Sequence, residues 1–128
     1  MRLSANLLYY AVVQAVNDTA GSGPIKGPQS SPVGVYTLTV QPLPGVPNVF
    51  TNVSTGTLTA NWITNGNSTD TYYVTGLSAY SPDEGVDVFI ASRTSIESYR
   101  HFNALLPNVR YKVTLTPLNG DSIPGTTM

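Results

Sequence analysis

Apolar and polar side chains alternate along this chain in short runs, separated by clusters of Gly, Pro, Asn and Ser. Residues 7–16 put Tyr9, Ala11, Val13 and Ala15 on one face, the period-two signature of a half-buried strand. The breaker-rich residues 20–32 predict a loop, and residues 33–40, with strong β-propensity, predict the next strand. Residues 41–47 hold three prolines and read as a stiff, extended connection at a domain boundary. Beyond it, residues 49–53 suit a short edge strand. Residues 57–62 alternate Leu58, Ala60 and Trp62 inward against Thr57, Thr59 and Asn61 outward. A turn cluster at 65–70 precedes a strand at 72–77, and a turn at 81–85 leads into 86–92. Residues 99–105 then lead into a strand at 111–118. No window sustains a helical apolar stripe, so the pattern predicts an all-β chain with strands at sandwich spacing.

One pattern occurs twice. Leu3, Tyr9, Ala11, Val13, Ala15 and Asn17 match Leu105, Tyr111, Val113, Leu115, Pro117 and Asn119, each pair 102 positions apart. That period suits one small β-sandwich per repeat. The expected organisation follows from it. Residues 1–41 hold the closing strands of one repeat, 42–46 form a Pro-rich linker, and 47–128 form a second repeat.

These residues resemble the fibronectin type III domain, in which a Leu-x-Pro-x-x-x-Tyr-x-Val-x-Val-x-Ala-x-Asn stretch spans the corner before strand F and strand F itself. Leu105, Pro107, Tyr111, Val113, Leu115, Pro117 and Asn119 fill that stretch; the first copy fills it again, with Ala5 in place of the proline. Residues 57–62 are similar to strand B with its core tryptophan. Tyr72 and Val74 are similar to strand C, and Phe102 and Leu105 to strand E. The resemblance implies an immunoglobulin-like, fibronectin type III β-sandwich: one nearly complete domain preceded by the final strands, F and G, of another. It implies a core around Trp62, Leu58, Tyr72, Phe102 and Leu105, with Tyr9 and Tyr111 at the tyrosine corners. The family's adhesive Arg-Gly-Asp triplet is absent.

In that pattern the second domain reaches strand F and lacks strand G, while residues 33–40 are the G strand of the first. Strand G leaves one pole of its sandwich and strand A starts at the other, about 20–30 Å away for strands of this length. Two arrangements meet that constraint. The chain is an excerpt of a longer tandem protein, or each subunit completes another by donating a strand. The donor would be Val33, Val35, Tyr36, Leu38 and Val40, and the acceptor edge Tyr111, Val113 and Leu115.

Composition narrows the chemistry. Six Lys and Arg against seven Asp and Glu leave no electrostatic reason to bind nucleic acid or an anionic membrane. Only 10% of residues are charged, a surface suited to packing in an assembly. No cysteine is present, which removes disulfides and thiolate sites, and no run approaches the ~20 apolar residues of a membrane span. The start, Met1 and Arg2 before an apolar run, has the outline of a signal peptide, yet its match to residues 105–119 makes it a strand. Asn17, Asn52 and Asn67 head Asn-x-Ser/Thr triplets and are candidate glycan acceptors, with chance occurrence in a Thr- and Asn-rich chain as the competing account. His101, the single histidine, alternates with Phe102 and is expected at the surface. Asp83, Glu84 and Asp87 lack the spacing of a calcium loop and read as a solvated turn. Gly21 and Gly23 are followed by no helix and make no phosphate cradle. An isopeptide crosslink would need Lys26 or Lys112 buried beside an acid. No catalytic residue, cofactor or metal ligand is assigned.

The sequence therefore points to a non-enzymatic structural or adhesive module of an extracellular or cell-surface protein. It would assemble head-to-tail into a fibre or tandem array, with neighbouring repeats or copies of itself as partners. The alternatives are a protein- or glycan-binding receptor module acting through loops 65–70 and 119–124, and an accessory module of a secreted carbohydrate-active enzyme.

Overall fold

The computed structural model describes residues 2–19 and 23–128; Met1 and residues 20–22, including Gly21 of the expected loop, lie outside them. Eleven strands form among the described residues. They are β1 (Leu8–Ala11), β2 (Gln14–Thr19), β3 (Gly23–Gln29), β4 (Val33–Tyr36), β5 (Leu43–Pro44), β6 (Phe50–Thr51), β7 (Leu58–Ile63), β8 (Tyr72–Ser81), β9 (Val86–Ser95), β10 (Tyr99–Phe102) and β11 (Tyr111–Leu118).

Residues 43–128 build a sandwich of two antiparallel sheets. In one, β7 is flanked by β10 on one edge and by β5 and β6 on the other; in the other, β8 lies between β11 and β9. This order fits the immunoglobulin-like sandwich that the sequence resemblance implies, with β5 and β6 in the place of a split strand A, β7 of B, β8 of C, β9 of C′, β10 of E and β11 of F. Most of the core lies at inward positions that the alternation predicts, with β8 as the exception. Ala60, Leu77 and Phe102 form one buried cluster, with Leu58, Leu105, Tyr111 and Val113 packed on it. Trp62, Tyr73 and Leu115 form the second, in which the Trp62 and Tyr73 rings sit 5.7 Å apart and tilted by 59°.

The first repeat contributes a two-stranded ribbon. β1 pairs with β4 from Leu8↔Tyr36 to Ala11↔Val33, and β2 pairs with β3. The same pairing carries on past β4, where the Thr37 N–H donates to the Leu7 carbonyl at 3.1 Å and the Asn6 N–H to that of Leu38 at 3.3 Å.

Four expectations need correction. Residues 23–29, expected within a loop, form β3. Both strands of a two-stranded ribbon are edges, where Pro24 and Pro28 are tolerated, and a register shift between Gln14 and Val16 absorbs the irregularity. Tyr72 is 53% exposed and Tyr73 1%, so the inward phase of β8 is Tyr73, Thr75 and Leu77 rather than Tyr72 and Val74. The linker is already part of the sandwich: Leu43 and Pro44 pair with Ile63 and Trp62, and Pro42 is buried. Finally, the chain does not stop at β11. Leu115 and Met128 exchange backbone hydrogen bonds of 3.0 and 2.8 Å, and the Gly125 N–H reaches the Pro117 carbonyl, so residues 124–128 run back along the β11 edge that was expected to be open, without forming a strand.

Candidate functional site

The two copies of the sequence repeat fold alike. In the first, the Tyr9 hydroxyl accepts the Ser4 N–H at 2.8 Å; in the second, the Tyr111 hydroxyl accepts the Leu106 N–H at 2.8 Å. Between each donor and its tyrosine lies an asparagine in the left-handed region, Asn6 at φ 48° and Asn108 at φ 57°. Asparagine fits there because its short polar side chain tolerates that backbone, which a β-branched residue does not. Ser4, Asn6 and Tyr9 thus stand 102 positions before Leu106, Asn108 and Tyr111 in sequence and in the same local geometry.

The first corner is seated on the second repeat. Asn6 is 3% exposed, held between the loop joining β7 to β8 and the loop after β11. Its Nδ2 donates to Thr71 Oγ1 at 2.7 Å, its Oδ1 accepts the Gly120 N–H at 2.7 Å, and its carbonyl accepts the Ser68 hydroxyl at 2.8 Å. A second latch faces the other way. Asn67 of the second repeat brackets Val40 of the first, accepting its N–H at 2.7 Å and donating to its carbonyl at 2.8 Å. Asp121 Oδ2 accepts the Tyr36 N–H at 3.2 Å, Asn65 Nδ2 donates to the Gln41 carbonyl at 2.8 Å, and Gln41 Nε2 donates to the Thr127 carbonyl at 3.0 Å. The Tyr36 ring lies so close over Gly120 that a Cβ there would collide with it. Buried polar groups are costly unless paired; the Asn6 and Asn67 amides are paired across the boundary between repeats, while Thr39 Oγ1 and Asn119 Nδ2 are buried there without a partner. The arrangement hydrogen-bonds residues 4–41 to the loops at 64–71 and 119–127.

The other residues singled out in the sequence fall as follows. Trp62 and Phe102 are buried; Leu58, Leu105, Tyr9 and Tyr111 are half-buried. His101 is exposed, its Nδ1 2.9 Å from Thr59 Oγ1. Asn17 and Asn52 are exposed, whereas Asn67 is 7% exposed with its Nδ2 donating to the carbonyls of Val40 and Thr64, which leaves no room for a glycan on that nitrogen. Of the donor residues, Val33, Val35 and Tyr36 pair with β1 of their own repeat, and Leu38 and Val40 run into the junction. Of the acceptor residues, Leu115 already carries Met128 on its outer edge; Tyr111 and Val113 pair with Ala79 and Leu77 of β8. Asp83 and Glu84 lie exposed at the turn, and Asp87 pairs with Arg110 at 3.5 Å. Lys26 and Lys112 are exposed. Among the described residues no cluster of His, Asp and Glu could hold a metal ion, and no helix is long and apolar enough to cross a membrane.

Two titrating groups depart from their ordinary range. Burial pushes the Tyr73 phenol up, with a smaller opposing pull from the Asn67 side chain. Burial and the neighbouring Arg93 charge lower Arg100, whose Nη1 donates to the Thr75 carbonyl and hydroxyl while its guanidinium lies 4.7 Å over the Phe102 ring. Arg100 therefore ties β10 to β8 across the two sheets.

The sequence does not single out Asn6 or Thr71, and it gives Asn67 and the loop holding Gly120 other roles, a glycan acceptor and a recognition loop. The one available signal was the repeat itself, which places an asparagine three positions before the tyrosine in both copies.

No protein-family model matches the chain, and no curated relative matches it. Among solved structures the chain is similar to the FN1–FN3 domains of chicken CNTN1, at 19% identity and a TM-score of 0.47; the match covers 98% of this chain and 43% of that one.

Proposed function

We propose that this chain is a structural module of a tandem array, in which sandwich repeats are set in a row at fixed angles to carry load or present adhesive surfaces at the cell exterior. The observation behind this reading is the junction. A repeat with its own tyrosine corner is hydrogen-bonded through Asn6 into the loop pole of the following repeat, and Asn67 of that repeat reaches back to Val40. A flexible linker would leave the repeats free; here Pro42 is buried and Leu43 is already in a strand.

The junction also weighs against recognition through loops 65–70 and 119–124. Asn65, Asn67, Gly120 and Asp121 already bond the preceding repeat, so a ligand there would compete for the same atoms. Subunit-to-subunit strand exchange likewise requires β4 to leave β1. The reading assigns no catalysis.

Small-angle scattering of the full chain tests it. A single fixed distance between the ribbon and the sandwich, unchanged between low and high salt, is expected, because the latches are hydrogen bonds rather than ion pairs. A broad distance distribution would remove the basis for a rigid row. An exterior location predicts a mass loss on enzymatic removal of N-linked glycans confined to Asn17 and Asn52; glycan on Asn67 in the folded protein would contradict the junction.

A further inference from the structure

We infer that Asn108 is the latch for a third repeat, and that the corner around it is a docking surface for the loop pole of another sandwich of this kind. The inference rests on the tandem reading above and extends it to a specific site.

The chain contains a worked instance of this interface one repeat earlier. Asn6 and Asn108 share the left-handed backbone, the position after a corner donor and the distance to a corner tyrosine. Asn6 is covered, and both ends of its amide are engaged. Asn108 is exposed, and its amide makes no hydrogen bond among the described residues. Its surroundings are mostly apolar. Leu106 is 68% exposed, and a cavity of about 320 Å³ opens beside it, lined by Phe50, Val53, Leu58 and Val109 together with Ser54 and Thr57. An exposed apolar pole around an unused amide is the profile of a surface meant to be covered.

Chain direction identifies the occupant. In the first repeat, the strand opposite Val13 runs from Ser30 past Asn6 and then into the second repeat. In the second repeat, Met128 bonds Leu115 as Ser30 bonds Val13, each through a 2.8 Å N–H to carbonyl bond. A strand continuing from Met128 along β11 therefore runs toward Asn108. A repeat attached to it would bring its equivalents of Thr71 and Gly120 to the Asn108 amide, a hydroxyl acceptor for Nδ2 and a backbone N–H for Oδ1. A second copy of this chain in solution does not fit the role, because its own loop pole is already filled by Asn6.

The test is the full chain extended by a copy of residues 31–128 after Met128, the register that the Ser30 and Met128 pairing sets. Asn108→Gly keeps the left-handed backbone and removes only the amide, and hydrogen exchange is read at the appended copy's Gly120 amide. Loss of one hydrogen bond worth about 1.4 kcal/mol speeds exchange about tenfold, and Asn6→Gly should do the same at the first Gly120. Asn108→Asp, which keeps the acceptor, should restore protection. In the unextended chain Asn108→Gly should leave the unfolding midpoint unchanged. Unaltered exchange in the extended chain would overturn the latch while leaving the row intact, if scattering still shows the third repeat at a fixed distance. A third repeat at no fixed distance would overturn the latch and the tandem reading together.

Discussion

A tyrosine hydroxyl holds the corner of each repeat by accepting one backbone N–H five residues upstream. The ring packs regardless, since Tyr111 lies against the Ala60, Leu77 and Phe102 cluster, so Tyr111→Phe isolates the hydrogen bond. The Leu106 N–H sits at the surface, where water can replace the phenol, and the substitution should cost about 0.5–1 kcal/mol in urea unfolding. Tyr73 behaves differently because its phenol is buried with a raised pKa. In the unfolded chain it titrates near 10, so between that value and its higher folded value the unfolded state holds fewer protons. Stability from this group is complete below pH 10 and falls as pH rises toward the folded pKa, by at most about 1.4 kcal/mol per unit. Urea titrations from pH 9 to 11.5 should show a steeper loss for the native protein than for Tyr73→Phe. Tyr72 and Tyr73 also show where residue-level reading fails: adjacent tyrosines suit either phase of a strand, and only the sheet below decides which one is buried.

Strands were legible where apolar and polar residues alternate without a break. In β7, Leu58, Ala60 and Trp62 join the two core clusters as the alternation predicts, while Thr59, expected outward, is also buried on the opposite face, beside His101 and Asn52. β3 was not legible, because its prolines and glycines signal a loop when no partner strand is known. The expected linker failed for a related reason. Leu43 and Pro44 form β5 only because Gly45 lets the backbone come close to β7; a Cβ on Gly45 would lie 2.8 Å from the Asn61 carbonyl oxygen. Gly45→Ala should therefore detach β5 and the chain leading into it. The expected cost is about 1–3 kcal/mol, with faster hydrogen exchange at residue 45, whose N–H bonds the Asn61 carbonyl.

At the scale of the whole molecule, the repeats are joined by polar latches rather than by a shared apolar core. Hydrogen bonds of this kind are directional, so in the row proposed above they would set an angle where hydrophobic contact would allow sliding. Gly120→Ala would push the Tyr36 ring off the loop after β11, and Asn6→Gly would free Thr71 and Gly120. Either should widen the distance distribution in small-angle scattering while leaving the circular dichroism of the sandwich unchanged. Together they should give less than the sum of their separate effects, because both act on the Gly120 contact. The sequence by itself determined the all-β class, the 102-residue period and most core positions, since these depend on side-chain size and alternation along the chain. The tertiary structure decided the phase of β8, the pairing of β3 and β5, and the junction. Those outcomes depend on which backbone arrives opposite. Asn6, Thr71 and Gly120 are 49 to 114 positions apart, and no local pattern joins them before the chain folds.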